Sequence, residues 1–281
     1  MDNIAKLELE LKSRGMSEKT VKAYLYHTSS FLKHIRTEPS QEDIQKYFIK
    51  LAETIDPLTV NLRISAVKFF YLNVLKQEFD INFMKRPKRI PEVLTKEETI
   101  DILNQINNIK HRLLIETIYG CGLRVSEAAT LKKKDLRFKE GIIYLRQAKG
   151  KKDRFVMLPK SISLRLESYI EARADKNPYV FDSGRGGRLT TSTIQKIMKN
   201  AVKKAGIKKN VHPHTLRHSY ATHLLENGTD IRIIQRLLGH NDVRTTEIYT
   251  HISNAFIRTV NSPLDFLELE PKRTTDDKIH P

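Results

Sequence analysis

The heptapeptide KRPKRIP at residues 85–91 divides the chain into two regimes of hydrophobic patterning. Its two prolines and its run of Lys85, Arg86, Lys88 and Arg89 resist both helix and strand pairing. Everything before it reads as helix alone. Ile4, Leu7 and Leu11 mark a short amphipathic helix stopped by Gly15. Ser17 caps a longer one, whose apolar face is expected at Val21, Tyr24, Leu25, Thr28, Leu32 and Ile35. Ser40-Gln-Glu-Asp43 has the form of a capping box and precedes Ile44, Tyr47, Phe48 and Leu51. Asp56-Pro57 opens a further helix with proline at its first position, and its stripe runs through Val67, Phe70, Tyr71 and Val74. A small four-helix domain over 1–84 follows, with a basic linker at 85–92.

Past the linker the pattern changes. Thr95-x-x-Glu98 starts a helix expected to end near Asn108, and another covers 110–119. Gly120 and Gly122 then break the chain just before Arg124. Strand-like segments follow near 135–138, 142–147 and 154–158, the last two joined by a turn at Lys149-Gly150-Lys151-Lys152. Helices dominate from there on. The expected fold class is mainly α with a small antiparallel β-sheet: a helical N-terminal domain, an α+β domain over 93–270, and a polar tail at 271–281.

The net charge of +17 favours a polyanionic partner, because neutralising phosphates releases condensed counterions. The lysines at 199, 203, 204, 208 and 209 form either a solvated face or part of a phosphate-facing one. Cys121 is the one cysteine, which excludes an internal disulfide and points to a reducing compartment. No apolar run reaches membrane-spanning length, and the opening MDNIAKLELELK is mixed in charge, unlike a secretory signal. A cytoplasmic location without membrane attachment is expected.

Chemistry concentrates in three places. GCGLRVSEA carries Arg124 and Glu127, QAKGKKDR carries Lys149, and the stretch 212–251 carries His214, Arg217, His240 and Tyr249. Phosphodiester cleavage needs an in-line nucleophile, cations on the non-bridging oxygens and an acid for the leaving oxygen. Arginine suits the second task, since its planar fork stays charged and matches phosphate. A phenol, with a pKa of about 10, attacks only where a base or nearby cations assist it. His214 and His218, four apart on a helix, have metal-site spacing, but no glutamate follows the first histidine and no ligand cluster accompanies them; no metal is expected. His218 and His223 read as packing or hydrogen-bonding residues.

Taken singly these signals are common. In this order, GCGLRVSEA, HPHTLRHSYATHLL and LLGHNDVRTTEIYTH resemble the tyrosine recombinases of the phage integrase family, and their wording is most similar to the Xer branch, including its archaeal single-protein form. The resemblance spans nearly the whole chain. It implies a SAM-like core-binding domain and a catalytic domain; the run Lys85, Arg86, Lys88 and Arg89 between them reads either as an ordinary loop or, on the counterion argument, as a basic strap along DNA. It also implies that Arg124 and Arg217 clamp the scissile phosphate. Glu127 would support Arg124 or a histidine, and Lys149 would protonate the departing 5′-hydroxyl, although Lys151 and Lys152 share its turn. His214 would take the tyrosine proton, His240 would bond a non-bridging oxygen, and Tyr249 would form a 3′-phosphotyrosine without cofactor. The implied partner is double-stranded DNA at a dif-like site, bound by a homotetramer that exchanges a C-terminal helix around 263–270; that apolar segment otherwise folds back on its own core. Chromosome dimer resolution is the implied role. A mobile-element integrase, a type IB topoisomerase and a catalytically silent DNA-binding protein are the alternatives.

Overall fold

Short side chains set the helix starts of the first unit. Ser17 accepts a hydrogen bond from the backbone N–H of Thr20 and opens α2 (Glu18–His34), which follows α1 (Asn3–Ser13). Ser40 and Asp43 exchange side-chain and backbone bonds in a capping box at the start of α3 (Gln41–Thr54). Asp56 accepts from Leu58 N–H, and Pro57 is the first residue of α4 (Pro57–Phe70). The computed structural model describes residues 2–35, 39–85, 91–148, 152–173 and 175–239. By its internal contacts the chain divides into two units, Met1–Arg89 and Ile90–Pro281.

The core of the first unit sets aromatic rings among aliphatic side chains. Phe31, Phe48 and Phe70 are fully buried, and the Phe31 and Phe48 rings stack with centroids 5.9 Å apart. Two expectations shift here. Phe31, not Leu32, carries the inward face of α2, and Leu32 is 38% exposed. Val21, Thr28 and Phe31 step along one side at helical spacing, and Leu32 lies a further 100° or so around the axis. The α4 stripe also does not continue as α-helix through Val74. Tyr71–Leu75 form a π-helical turn that keeps Tyr71 buried and ends at Lys76, whose φ is 57°.

In the second unit the Thr95–Glu98 capping box starts α5 (Lys96–Asn104). This helix stops short of the expected end because Asn108 is itself the cap of α6 (Ile109–Gly120), accepting from His111 N–H. After α7 (Val125–Thr130) and a 3₁₀ turn at Lys133–Asp135 comes an antiparallel sheet, β1 (Leu136–Arg137), β2 (Ile142–Ala148) and β3 (Lys152–Met157), in the order β1-β2-β3. Four helices complete the described chain: α8 (Lys160–Glu171), α9 (Thr191–Lys204), α10 (Pro213–Glu226) and α11 (Ile231–Leu238). Between α8 and α9 the chain makes two isolated bridges, Lys132 with Tyr179 and Asp182 with Arg188, too short to leave an alternating pattern.

Ile143, Leu145 and Val156 point from the sheet into a core shared with α6, α8, α9 and Leu216 of α10. Arg154 faces Leu145 in register, on the same inward side. Lys209 is tied into this unit: its ammonium sits 2.6 Å from the Glu98 carboxylate and 3.0 Å from the Val93 carbonyl. It is therefore a structural bond, unlike the exposed Lys199, Lys203, Lys204 and Lys208. No helix of the described residues is long and apolar enough to cross a membrane.

Candidate active site

α6 ends at Gly120, and the chain turns through Gly122 at φ 60°, a region glycine enters without steric cost. There is no room for anything larger, since a Cβ at Gly122 would lie 2.5 Å from the Tyr220 ring. This tight passage delivers Arg124 to the cap position of α7. Glu127, in the first turn, accepts from the Arg124 backbone N–H at 2.8 Å through Oε2 and from its Nη1 at 2.7 Å through Oε1. Carboxylates are favoured at this end of a helix by the backbone N–H groups that point there.

α10 enters by proline at its first position, capped by His212, whose Nδ1 accepts from Thr215 N–H at 3.2 Å. One turn on, the buried Arg217 donates to the Gly122 carbonyl at 2.6 Å and to the Leu238 carbonyl. Its Nη1 lies 4.0 Å from Glu127 Oε2. His214 shares the helix but is solvent-exposed where Arg217 is not. Desolvation by the surrounding protein, then the Arg217 guanidinium, then His212 and Arg124, hold the His214 pKa below the usual imidazole value, with Glu127 opposing. His214 is therefore neutral at physiological pH and can accept a proton.

A further arginine completes the cluster. Arg154 grips Glu127 with both arms, Nη1 to Oε1 and Nη2 to Oε2, each at 2.7 Å, and its Nε donates to the Leu237 carbonyl at 3.1 Å. Its stem runs under Gly239, where a Cβ would come within 2.9 Å of Arg154 Cδ. One carboxylate thus faces three guanidiniums. Burial alone would raise the Glu127 pKa, but the bonds and charge of Arg154 and then Arg124 overcome this and hold it at about 2. The same three arginines cover the end of α11. Leu237 O takes Arg154, Leu238 O takes Arg217, and Arg124 Nη2 lies 3.4 Å from both Leu238 O and Gly239 O. Helix C-termini present unpaired carbonyls and partial negative charge, which these cations satisfy.

Residues 92–255 match the Phage integrase family, and residues 4–81 match the Phage integrase N-terminal SAM-like domain. The chain is 38% identical over 258 residues to the tyrosine recombinase XerA of Pyrococcus horikoshii, covering 90% of this chain and 88% of that protein. The chain belongs to the phage integrase family, as a Xer-type tyrosine recombinase. A crystal structure of a XerA recombinase is similar at 34% identity, a TM-score of 0.56 and coverage of 91% and 95% of the two chains. A XerH recombinase bound to its palindromic difH substrate, at 23% identity, shares the fold with a TM-score of 0.73, over 88% of this chain and 80% of that one.

Within this tyrosine recombinase, Arg124, Glu127 and Arg217 meet in one cluster, and His214 feels its charge. Lys149, Lys151, His240, Tyr249, Arg86, Lys88, Arg89 and the 263–270 segment lie outside the described residues; Lys85 is exposed. Glu127 takes the first of its two expected partners, Arg124, and adds Arg154. Nothing in a lone KDRF tetrapeptide marks Arg154; the available signal was alternation, since it falls on the strand side that otherwise holds Val156. His223 is a buried hydrogen-bonding residue, as expected: its Nε2 reaches the Leu94 carbonyl at 3.0 Å and must carry the proton, so Nδ1 accepts from the Tyr119 hydroxyl at 2.8 Å. His218 is largely covered, and burial, then His214 and Arg217, depress its pKa to about 4.

Proposed function

We propose that this chain cuts and rejoins double-stranded DNA at a specific site through a covalent bond from Tyr249 to a 3′-phosphate. The observation that carries the reading is the convergence of Arg124 and Arg217 on Glu127, from sequence segments far apart, in a cluster with more guanidinium than carboxylate. Such a group suits a phosphate whose negative charge grows during attack. Arg124 and Arg217 hold its non-bridging oxygens, with His240 as a further donor. The Tyr249 oxygen bonds to phosphorus as the bond to the 5′-oxygen breaks. The phenolic proton passes to neutral His214, and Lys149 protonates the leaving 5′-oxygen. A 5′-hydroxyl from another strand then attacks the phosphotyrosine and releases the enzyme. The phosphodiester's energy is kept in the tyrosyl bond, so neither ATP nor a metal is required.

The likeness to XerA relatives favours a dif-like target and the resolution of chromosome dimers in the cytoplasm. The assembly in this reading is a homotetramer on two sites, closed by exchange of the 263–270 segment. Residues 1–84 and 93–270 are its DNA-binding and catalytic domains, with Lys85, Arg86, Lys88 and Arg89 along the phosphate backbone between them. The test is a suicide substrate nicked beside the cut site. Wild type accumulates a covalent DNA adduct and Tyr249→Phe does not; an adduct with the phenylalanine variant overturns the assignment.

A further inference from the structure

The geometry points to Arg154 as a positioning residue for strand cleavage, one that locks Glu127 beneath Arg124 and fixes the end of α11 without touching DNA. The inference rests on the recombinase reading above and extends it to a residue that has no part in that chemistry. Two observations carry it, together with the bonds its guanidinium makes. Arg154 occupies an inward position on β3, between exposed Asp153 and Phe155, and its side chain is 8% exposed. Its neighbours on that side, Leu145 and Val156, are apolar, so an aliphatic residue would suit the packing. Removing one partner of a buried ion pair is itself destabilising, so a positioning role has to be read from the rate of folded variants at saturating DNA and not from their stability.

What the guanidinium adds is geometry. Its two Nη atoms occupy both oxygens of Glu127 and leave the carboxylate a single orientation, the one in which Oε1 meets Arg124 Nη1 at 2.7 Å. Its Nε meets Leu237 O, in the last turn of α11, and its stem fills the space beside Gly239. One planar group therefore sets the angle of Arg124 and fixes the last turn of α11 at Leu237. A lysine can reach only part of this set, because it lacks the fork.

The experiment compares wild type, Arg154→Met and Arg154→Lys on the suicide substrate, with full-length protein at saturating DNA. Adduct formation is expected to slow roughly a hundredfold in Arg154→Met, the scale of a misplacement of about 1 Å, and by less in Arg154→Lys. DNA affinity is expected to stay within about twofold of wild type, so the loss falls on the rate and not on binding. In the absence of DNA, carbon-13 shifts of the Glu127 carboxyl should report titration at a higher pH in both variants. If Arg154→Met does not fold, Arg154→Lys decides. A folded variant that cuts at the wild-type rate, or an unmoved Glu127 titration, overturns the proposal. If wild type itself forms no adduct, the recombinase reading fails instead, and the Glu127 titration still judges the grip of Arg154.

Discussion

Arg217 donates to the carbonyl of Gly122 at 2.6 Å across 95 residues of sequence. This bond ties the arginine motif of α10 to the glycine turn that presents Arg124. A residue that binds phosphate only through its charge would be free to swing. Arg217 is buried, and its guanidinium is fixed by main-chain carbonyls of Gly122 and Leu238 before any DNA arrives. Preorganisation of this kind spares the reorganisation that would otherwise raise the barrier.

Replacing Arg217 by glutamine is accordingly expected to lower the rate of adduct formation on the order of a hundredfold to a thousandfold, with DNA binding retained. Binding titrations and single-turnover cleavage at saturating DNA check this. Weakened binding with normal cleavage at saturation would contradict a transition-state role.

Gly122→Ala is expected to destabilise the second unit. A side chain there adopts the left-handed region at a cost of about 1–2 kcal/mol and drives its Cβ into the Tyr220 ring, 2.5 Å away, adding roughly 1–3 kcal/mol of overpacking. Thermal or urea denaturation should show the loss. Stability equal to wild type would mean that the turn has room the structure does not provide.

Acid should unfold this protein in two windows. His218 has its pKa depressed from 6.5 to about 4, so between these values the unfolded chain binds more protons, and stability falls as pH drops. Glu127 is depressed from 4.5 to about 2; its stabilising contribution is complete above the unfolded value and is lost as pH falls toward 2. Each shift corresponds to roughly 3 kcal/mol at most. His218→Phe should flatten the upper part of the stability–pH curve and Glu127→Gln the lower part. An unchanged slope in either variant counts against that group.

Tyr119→Phe removes the hydroxyl that donates to His223 Nδ1 while keeping the ring, and leaves a buried acceptor unmet among the described residues. The expected cost is about 1–3 kcal/mol in urea melts. His223 also holds the Leu94 carbonyl, so hydrogen exchange at the Leu94 amide, which donates to Ser219, should quicken in the same variant.

Much of this was legible in the sequence because it is local. Ser17, Ser40, Thr95 and Asp56 act on backbone groups two or three residues away, and each starts the helix expected of it. Arg124, Glu127, His214 and Arg217 stood out through the family resemblance, since each pair's spacing alone is common. What local rules miss is competition and distance. Asn108 was expected to close one helix and instead opens the next, because its side chain caps His111. Leu32 and Phe31 are adjacent, and only packing against α3 and α4 decides which turns inward. Lys209 resembled one more solvated lysine until Glu98 was brought beside it. Arg154 meets Glu127 only after β3 has folded under α11, a pairing without a sequence signature.

In the proposed reaction the phenolic oxygen of Tyr249 forms the protein–DNA bond. Proteolysis of the trapped adduct, followed by mass spectrometry of the DNA-linked peptide, tests it most directly. With trypsin, the expected result is a nucleotide mass on the peptide spanning 245–258, localised to Tyr249. The same mass on a serine or on a different tyrosine would contradict it.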